Sequence, residues 1–138
     1  MPQRSSAGSV RSLEVVLTTS CNLNCAYCFQ NRRADQSMSW GVLRSALDLL
    51  LRSDYSEREF IFYGGEPLLE LPLIMRAIEY LHAARSGKVA VSVFTNGTLL
   101  DRGTMRLLAR HGIDTQISID GVEAAQQLRA PGTFGRID

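Results

Sequence analysis

Cys21-Asn22-Leu23-Asn24-Cys25-Ala26-Tyr27-Cys28 holds every cysteine of a 138-residue chain within eight residues, with three residues in the first gap and two in the second. Thiolates this close in sequence can be wrapped around one inorganic centre by a single short loop. A [4Fe–4S] cube takes one thiolate per iron, so three cysteines cover three corners and leave the fourth iron open to hold something else. Two other uses of the loop stand beside that one. A structural zinc site takes four ligands, often as two separated pairs; here there is no fourth cysteine, and His82 and His111 lie far along the chain. A disulfide would leave one thiol over, and nothing in the sequence points to export.

The rest of the chain is that of an ordinary globular protein. Apolar residues make up 45% of it, enough for one domain with a real core. The net charge of +1 implies no general field for polyanions, so no nucleic-acid partner is expected. Lys88 is the only lysine, and most of the arginines alternate with apolar residues on helical stretches as solvated faces. No apolar run approaches the roughly 20 residues of a membrane span. Residues 1–12 are polar and small without an apolar segment, which reads as a disordered leader and not a secretory signal. Free thiols without an export signal place the protein in a reducing cytoplasm.

Outward from the loop, strands alternate with helices. Residues 13–18 (Leu-Glu-Val-Val-Leu-Thr) predict a strand buried on both faces that feeds the cysteines. Ser39 caps a helix to about Arg52, with Val42, Leu43, Ala46, Leu47 and Leu50 as its apolar stripe. A second strand covers 59–63 and ends in Gly64-Gly65-Glu66-Pro67. A second helix follows, with Pro72 near its first turn, a stripe of Leu73, Ile74, Ala77, Ile78 and Leu81, and Gly87 closing it. A third strand covers 88–94 and ends in Thr95-Asn96-Gly97. The third helix runs from about Asp101 to His111, capped by Asp101 or Thr104 and stopped by Gly112. The fourth strand covers 113–119 and ends in Asp120-Gly121, and residues 132–138 predict the start of a fourth helix. The fold class expected is α/β, a parallel sheet of (β/α) units. In the fourth strand, Asp114, Gln116, Ser118 and Asp120 share one face, and the isoleucines take the helix-covered one. The polar row then either faces an interior where a ligand satisfies it or lies along a wet edge.

All four candidate motifs fall at the carboxyl end of a strand, the edge where parallel α/β sheets bind ligands. Gly64 and Gly65 would let backbone approach a ligand with no Cβ in the way, and Glu66 could accept hydrogen bonds from an ammonium group. Tyr27 suits either core or the neighbourhood of a nucleoside. Arg32 and Arg33 read as a solvated loop. His82 and His111 suit helix C-termini, where the dipole favours them.

In this order, the Cys21/Cys25/Cys28 loop, Gly-Gly-Glu-Pro-Leu-Leu at 64–69, Thr-Asn-Gly-Thr-Leu-Leu at 95–100 and Ser-Ile-Asp-Gly at 118–121 resemble the radical S-adenosylmethionine (radical SAM) enzymes. The wording is similar to the branch of peptide and protein maturases with a C-terminal SPASM domain, which includes the anaerobic sulfatase-maturating enzymes. The resemblance covers 13–138 and implies about four of the six units of a partial TIM barrel, the N-terminal part of a core domain that is incomplete here. It implies that Cys21, Cys25 and Cys28 hold a [4Fe–4S] cluster whose open iron binds S-adenosylmethionine. Reductive cleavage of that cofactor would give a 5′-deoxyadenosyl radical acting on a peptide or protein side chain. Reduced flavodoxin or ferredoxin would donate the electron. By the same resemblance Tyr27 lies by the adenine, Gly64, Gly65 and Glu66 bind the methionine amino group, Ser118 contacts the cofactor and Arg129 pairs with its carboxylate. Asn96 and Asp120 line the site. The sequence departs from the branch at Ala125 and Gln126, where a His-Asp pair is usual. The alternative is a truncated non-catalytic iron–sulfur protein, or a small electron carrier whose cluster ignores SAM.

Overall fold

A computed structural model describes residues 9–29, 34–84 and 87–137. Most of the expected leader and the Arg32-Arg33 pair fall outside these residues. Four strands, β1 (Ser12–Thr18), β2 (Glu57–Gly64), β3 (Lys88–Thr95) and β4 (Ile113–Ile117), form one sheet in the order β1-β2-β3-β4. All three pairings are parallel. The crossovers carry α1 (Trp40–Leu51), α2 (Leu71–Ala84) and α3 (Arg102–Arg110), and α4 (Glu123–Arg129) follows β4.

The helices cover one face of the sheet, and period-2 alternation decides which strand residues meet them. Val15 and Leu17 of β1, Phe60 and Phe62 of β2, Val91 and Val93 of β3 and Ile113 of β4 are buried there. Leu43, Leu47 and Leu50 from α1 and Ile74, Ala77 and Ile78 from α2 close the core over them. The apolar stripes predicted both helices, although Val42 at the edge of the first stripe is 57% exposed. The Ser39 hydroxyl caps α1 by accepting from Val42 N at 3.4 Å. Asp101 caps α3, accepting from Thr104 N at 2.7 Å, which settles the choice between Asp101 and Thr104. That bond holds the Asp101 carboxyl below its usual range, so its contribution is complete at neutral pH and fades as pH falls through the lowered value.

Several local expectations need correction. β1 is not buried on both faces: Glu14 is exposed and Val16 is 41% exposed, because among the described residues the helices pack only on the face that carries Val15 and Leu17. β4 stops at Ile117, and of its isoleucines only Ile113 is buried. β4 is an edge strand, and α3, which packs against it, buries only Leu108. The fourth helix lies at Glu123–Arg129 and not after Gly132; residues 134–136 make a single 3-10 turn. Val122 at the N-cap makes no side-chain cap bond, so the usual start signal is missing. The α2 crossover also opens earlier than expected, with a 3-10 turn over Pro67–Glu70 capped by the Glu66 side chain. At the N-terminal end, Ser12 already belongs to β1, and Arg11 O accepts from Glu59 N at 2.9 Å.

Phe62 lies in the middle of this core, fully buried in β2. Phe62→Ala is expected to lower the unfolding free energy by about 3–5 kcal/mol, measured by urea denaturation followed by far-UV circular dichroism. A loss below about 1 kcal/mol would mean that the sheet face has been assigned the wrong way round.

Candidate functional site

The carboxyl ends of the strands converge on one pocket. It is lined by Cys21, Cys25, Tyr27 and Cys28 from the loop after β1, Gly64 at the end of β2 and Gly65 just after it, Asn96 after β3, and Ser118 and Arg129 beyond β4. Tyr63, Phe94 and Phe29 complete its apolar wall. Of the residues singled out from sequence, Glu66 and Asp120 stand outside the lining, and each holds lining residues in place.

The loop after β2 is clamped onto the end of β1. Gly65 N donates to Thr18 O at 2.8 Å and Glu66 N to Ser20 O at 2.9 Å. A Cβ on Gly64 would strike Thr18 O, and one on Gly65 would strike Ser20 O, closer than any real Cβ contact. Gly64 also has a φ of 138°, where side chains are strained. The two glycines are therefore required by an approach of chain to chain. The expected clearance for a ligand is not what a Cβ would first violate.

Glu66 is fully buried. One carboxylate oxygen accepts from Leu68 N at 3.0 Å and from Thr95 Oγ1 at 2.7 Å; the other accepts from Asn96 N at 2.8 Å. The side chain thus joins the turn after β2 to the turn after β3.

The cysteine loop reaches across to the far side of the sheet. Tyr27 OH shares its proton between both Asp120 oxygens, at 2.9 and 2.8 Å. The Arg129 guanidinium donates to Ser118 O at 2.9 Å and meets Asp120 at 3.4 Å, while Arg129 O accepts from Ala26 N at 3.0 Å. The bond to Asp120 pushes the Tyr27 phenol up. Burial works against the Arg129 cation, but the Cys25 thiol, Tyr27 and Asp120 outweigh it and raise its pKa further. Burial also pushes the Cys21 thiol up, against the opposing pull of the Leu23 N–H. Gln126, at one of the departures from the expected pattern, is buried; it accepts from Asp120 N at 3.2 Å and donates to Thr133 Oγ1 at 2.8 Å, pinning α4 behind Asp120.

None of the three cysteines is joined in a disulfide, so the disulfide alternative has no support in the structure. Among the described residues, no three His, Cys, Asp or Glu side chains converge as a single metal ion needs. By donor count, three cysteines match a cube with one open iron and fall one ligand short of a structural zinc site. Among the described residues Arg129 Nε, buried in the same pocket, has no hydrogen-bond partner, which suits an anionic centre or ligand. Sequence reading missed Asn22, Thr98, Tyr63 and Phe94. The two aromatics could have been found by extending the period-2 pattern to the strand ends.

Residues 15–134 match the radical SAM superfamily. The chain belongs to that superfamily. It is 31% identical over 128 residues to a cysteine-type anaerobic sulfatase-maturating enzyme of Clostridium perfringens, covering 86% of this chain and 35% of that protein. It is 30% identical over 118 residues to a GTP 3',8-cyclase of Chlorobaculum tepidum, covering 83% and 34%. The structure of native anSMEcpe with bound AdoMet and Kp18Cys peptide superposes with a TM-score of 0.83 at 28% identity, over 91% of this chain and 38% of that one. The four strand–helix units are accordingly part of the radical SAM partial barrel, and the chain spans little more than a third of the length of these proteins. No described helix is long and apolar enough to cross a membrane.

Two outcomes check this geometry. Glu66→Ala leaves Asn96 N–H and the Thr95 hydroxyl buried without their acceptor and is expected to cost about 2–4 kcal/mol of stability, read by urea denaturation. Asp120→Asn is expected to lower the Tyr27 pKa, followed by phenolate absorbance. Because the folded pKa is raised, the bond stabilises at neutral pH and its contribution disappears as pH climbs through the raised value. An unchanged tyrosine titration would refute the Tyr27–Asp120 bond.

Proposed function

We propose that this chain is the N-terminal part of a radical SAM enzyme that modifies a peptide or protein side chain. The observation that carries the reading is the meeting of three free thiols, the Gly64-Gly65 turn, Asn96, Ser118 and Arg129 in one pocket at the carboxyl edge of the sheet. Cys21, Cys25 and Cys28 would hold a [4Fe–4S] cluster. When bound, the cluster supplies the electron that cleaves S-adenosylmethionine reductively to a 5′-deoxyadenosyl radical. The chain's own work is positioning and exclusion of solvent. The backbone of Gly64–Glu66 presents its polar atoms to the methionine amino group, and Arg129, with its Nε unspent, offers a donor to the carboxylate. Ser118 and Tyr27 flank the nucleoside. Tyr63 and Phe94, ring against ring at 6.1 Å, give the pocket an apolar side.

The peptide substrate is supported by the likeness to sulfatase-maturating enzymes and by the Kp18Cys peptide bound to anSMEcpe. The electron donor fitting this chemistry is a reduced flavodoxin or ferredoxin. The cytoplasm is the compartment in which such thiols stay reduced.

Anaerobic reconstitution with iron and sulfide, dithionite reduction and electron paramagnetic resonance test the reading. The expected result is a [4Fe–4S]⁺ signal that changes when SAM is added, and its complete loss in Cys25→Ala. Full iron loading of Cys25→Ala would overturn the ligand assignment. A wild-type cluster signal indifferent to SAM would favour the electron carrier.

A further inference from the structure

Asn96 is 7% exposed and follows directly after β3. Its amide orientation is fixed by its neighbours. Thr98 N can only donate, and it lies 3.0 Å from one end of the amide, which is therefore the oxygen Oδ1. Thr98 Oγ1 donates to the same oxygen at 2.7 Å, so its single proton is spent there and it accepts from Asn22 Nδ2 at 2.8 Å. That turns Asn22 Oδ1 toward Asn96, whose Nδ2 donates to it at 2.9 Å. The three side chains form a closed ring in which every donor has one direction. The amide nitrogen of Asn96 carries a second N–H, and 3.8 Å away is the sulfur of Cys21. Leu23 N points at the same sulfur from 3.4 Å. The ring is anchored from behind, since Asn96 N donates to the buried Glu66 carboxyl group at 2.8 Å.

We infer that Asn96 is a positioning residue that aims an N–H at the Cys21 sulfur and so sets the reduction potential of the centre which that thiolate holds. The inference rests on the cluster assignment proposed above. An N–H dipole directed at a ligand sulfur stabilises negative charge there. The reduced centre carries one more negative charge than the oxidised one, so the dipole favours the reduced state and raises the potential. Thr98 and Asn22 contribute by denying the amide its flipped orientation, in which Oδ1 would face the sulfur and oppose reduction.

The test is an EPR-monitored redox titration of the reconstituted protein without SAM, comparing wild type with Asn96→Leu and Thr98→Val. Leucine is neutral and close in size, so it removes the donor without adding charge. The expected result for Asn96→Leu is a shift of the midpoint to lower potential. Thr98→Val keeps the backbone N–H on Asn96 Oδ1 but removes the hydroxyl that donates to that oxygen and accepts from Asn22, so it loosens the amide and is expected to shift the midpoint the same way by less. Loosening of the loop alone would let water reach the cluster and move the potential upward, so the sign separates the two roles. An unchanged or higher midpoint in Asn96→Leu overturns the inference. If Asn96→Leu retains no cluster, an unchanged or higher midpoint in Thr98→Val overturns it instead. A wild-type protein that takes up no cluster fails the proposed function; a wild-type cluster with variants at unchanged potential fails this inference alone.

Discussion

The buried carboxyl group of Glu66 is the contact on which the site depends. Among the described residues no cation pairs with it; two backbone N–H groups and a hydroxyl satisfy it instead. Hydrogen bonds to a charged acceptor are stronger than neutral ones, and in a buried place an unmet partner is costly. Through those bonds the turns after β2 and β3 are held at a fixed separation. Through Gly65 N and Glu66 N the same turn is fastened to the end of β1. Three of the four strand ends thus hang from one residue and its backbone, and the cysteine loop begins at the residue to which that turn is bonded.

The outer part of the site is held differently. Tyr27, Asp120 and Arg129 make exposed or part-buried contacts between the loop and the segment beyond β4. Solvent competes for such bonds, so they contribute less to stability than the Glu66 contacts do. Their value is geometric: they set where the aromatic ring between two cysteines stands. The inner half of the site is thus held by buried bonds and the outer half by exposed or part-buried ones.

How much of this could be read from the sequence varied with the range of the interactions. Period-2 strands, 3.6-period stripes and the Ser39 and Asp101 caps are local, and they placed the sheet, three helices and the functional edge. The fourth helix was misplaced because Val122 offers no capping side chain. Val15 and Val16 look alike in sequence and predict a strand covered on both faces; only their burial in the fold, 6% against 41% exposed, separates the packed face from the open one. The partners of Glu66, Thr95 and Asn96, lie about thirty residues on, beyond the reach of any local pattern. The Asn22–Thr98–Asn96 ring joins stretches more than seventy residues apart, and no local pattern reports it.

The strand order has one more consequence. The cysteine loop leaves β1 at one edge of the sheet, and its tyrosine is bonded to Asp120 beyond β4 at the other. Three inter-strand spacings of about 4.8 Å, or about 14 Å, separate those edges. The loop is therefore a chord stretched over the ends of β2 and β3, and Tyr63 and Phe94 sit beneath it. The hollow in which chemistry would take place has no roof of its own; it borrows the loop. Whatever fixes that loop also gives the hollow its shape, so ordering the thiols and forming the cavity are one event and not two.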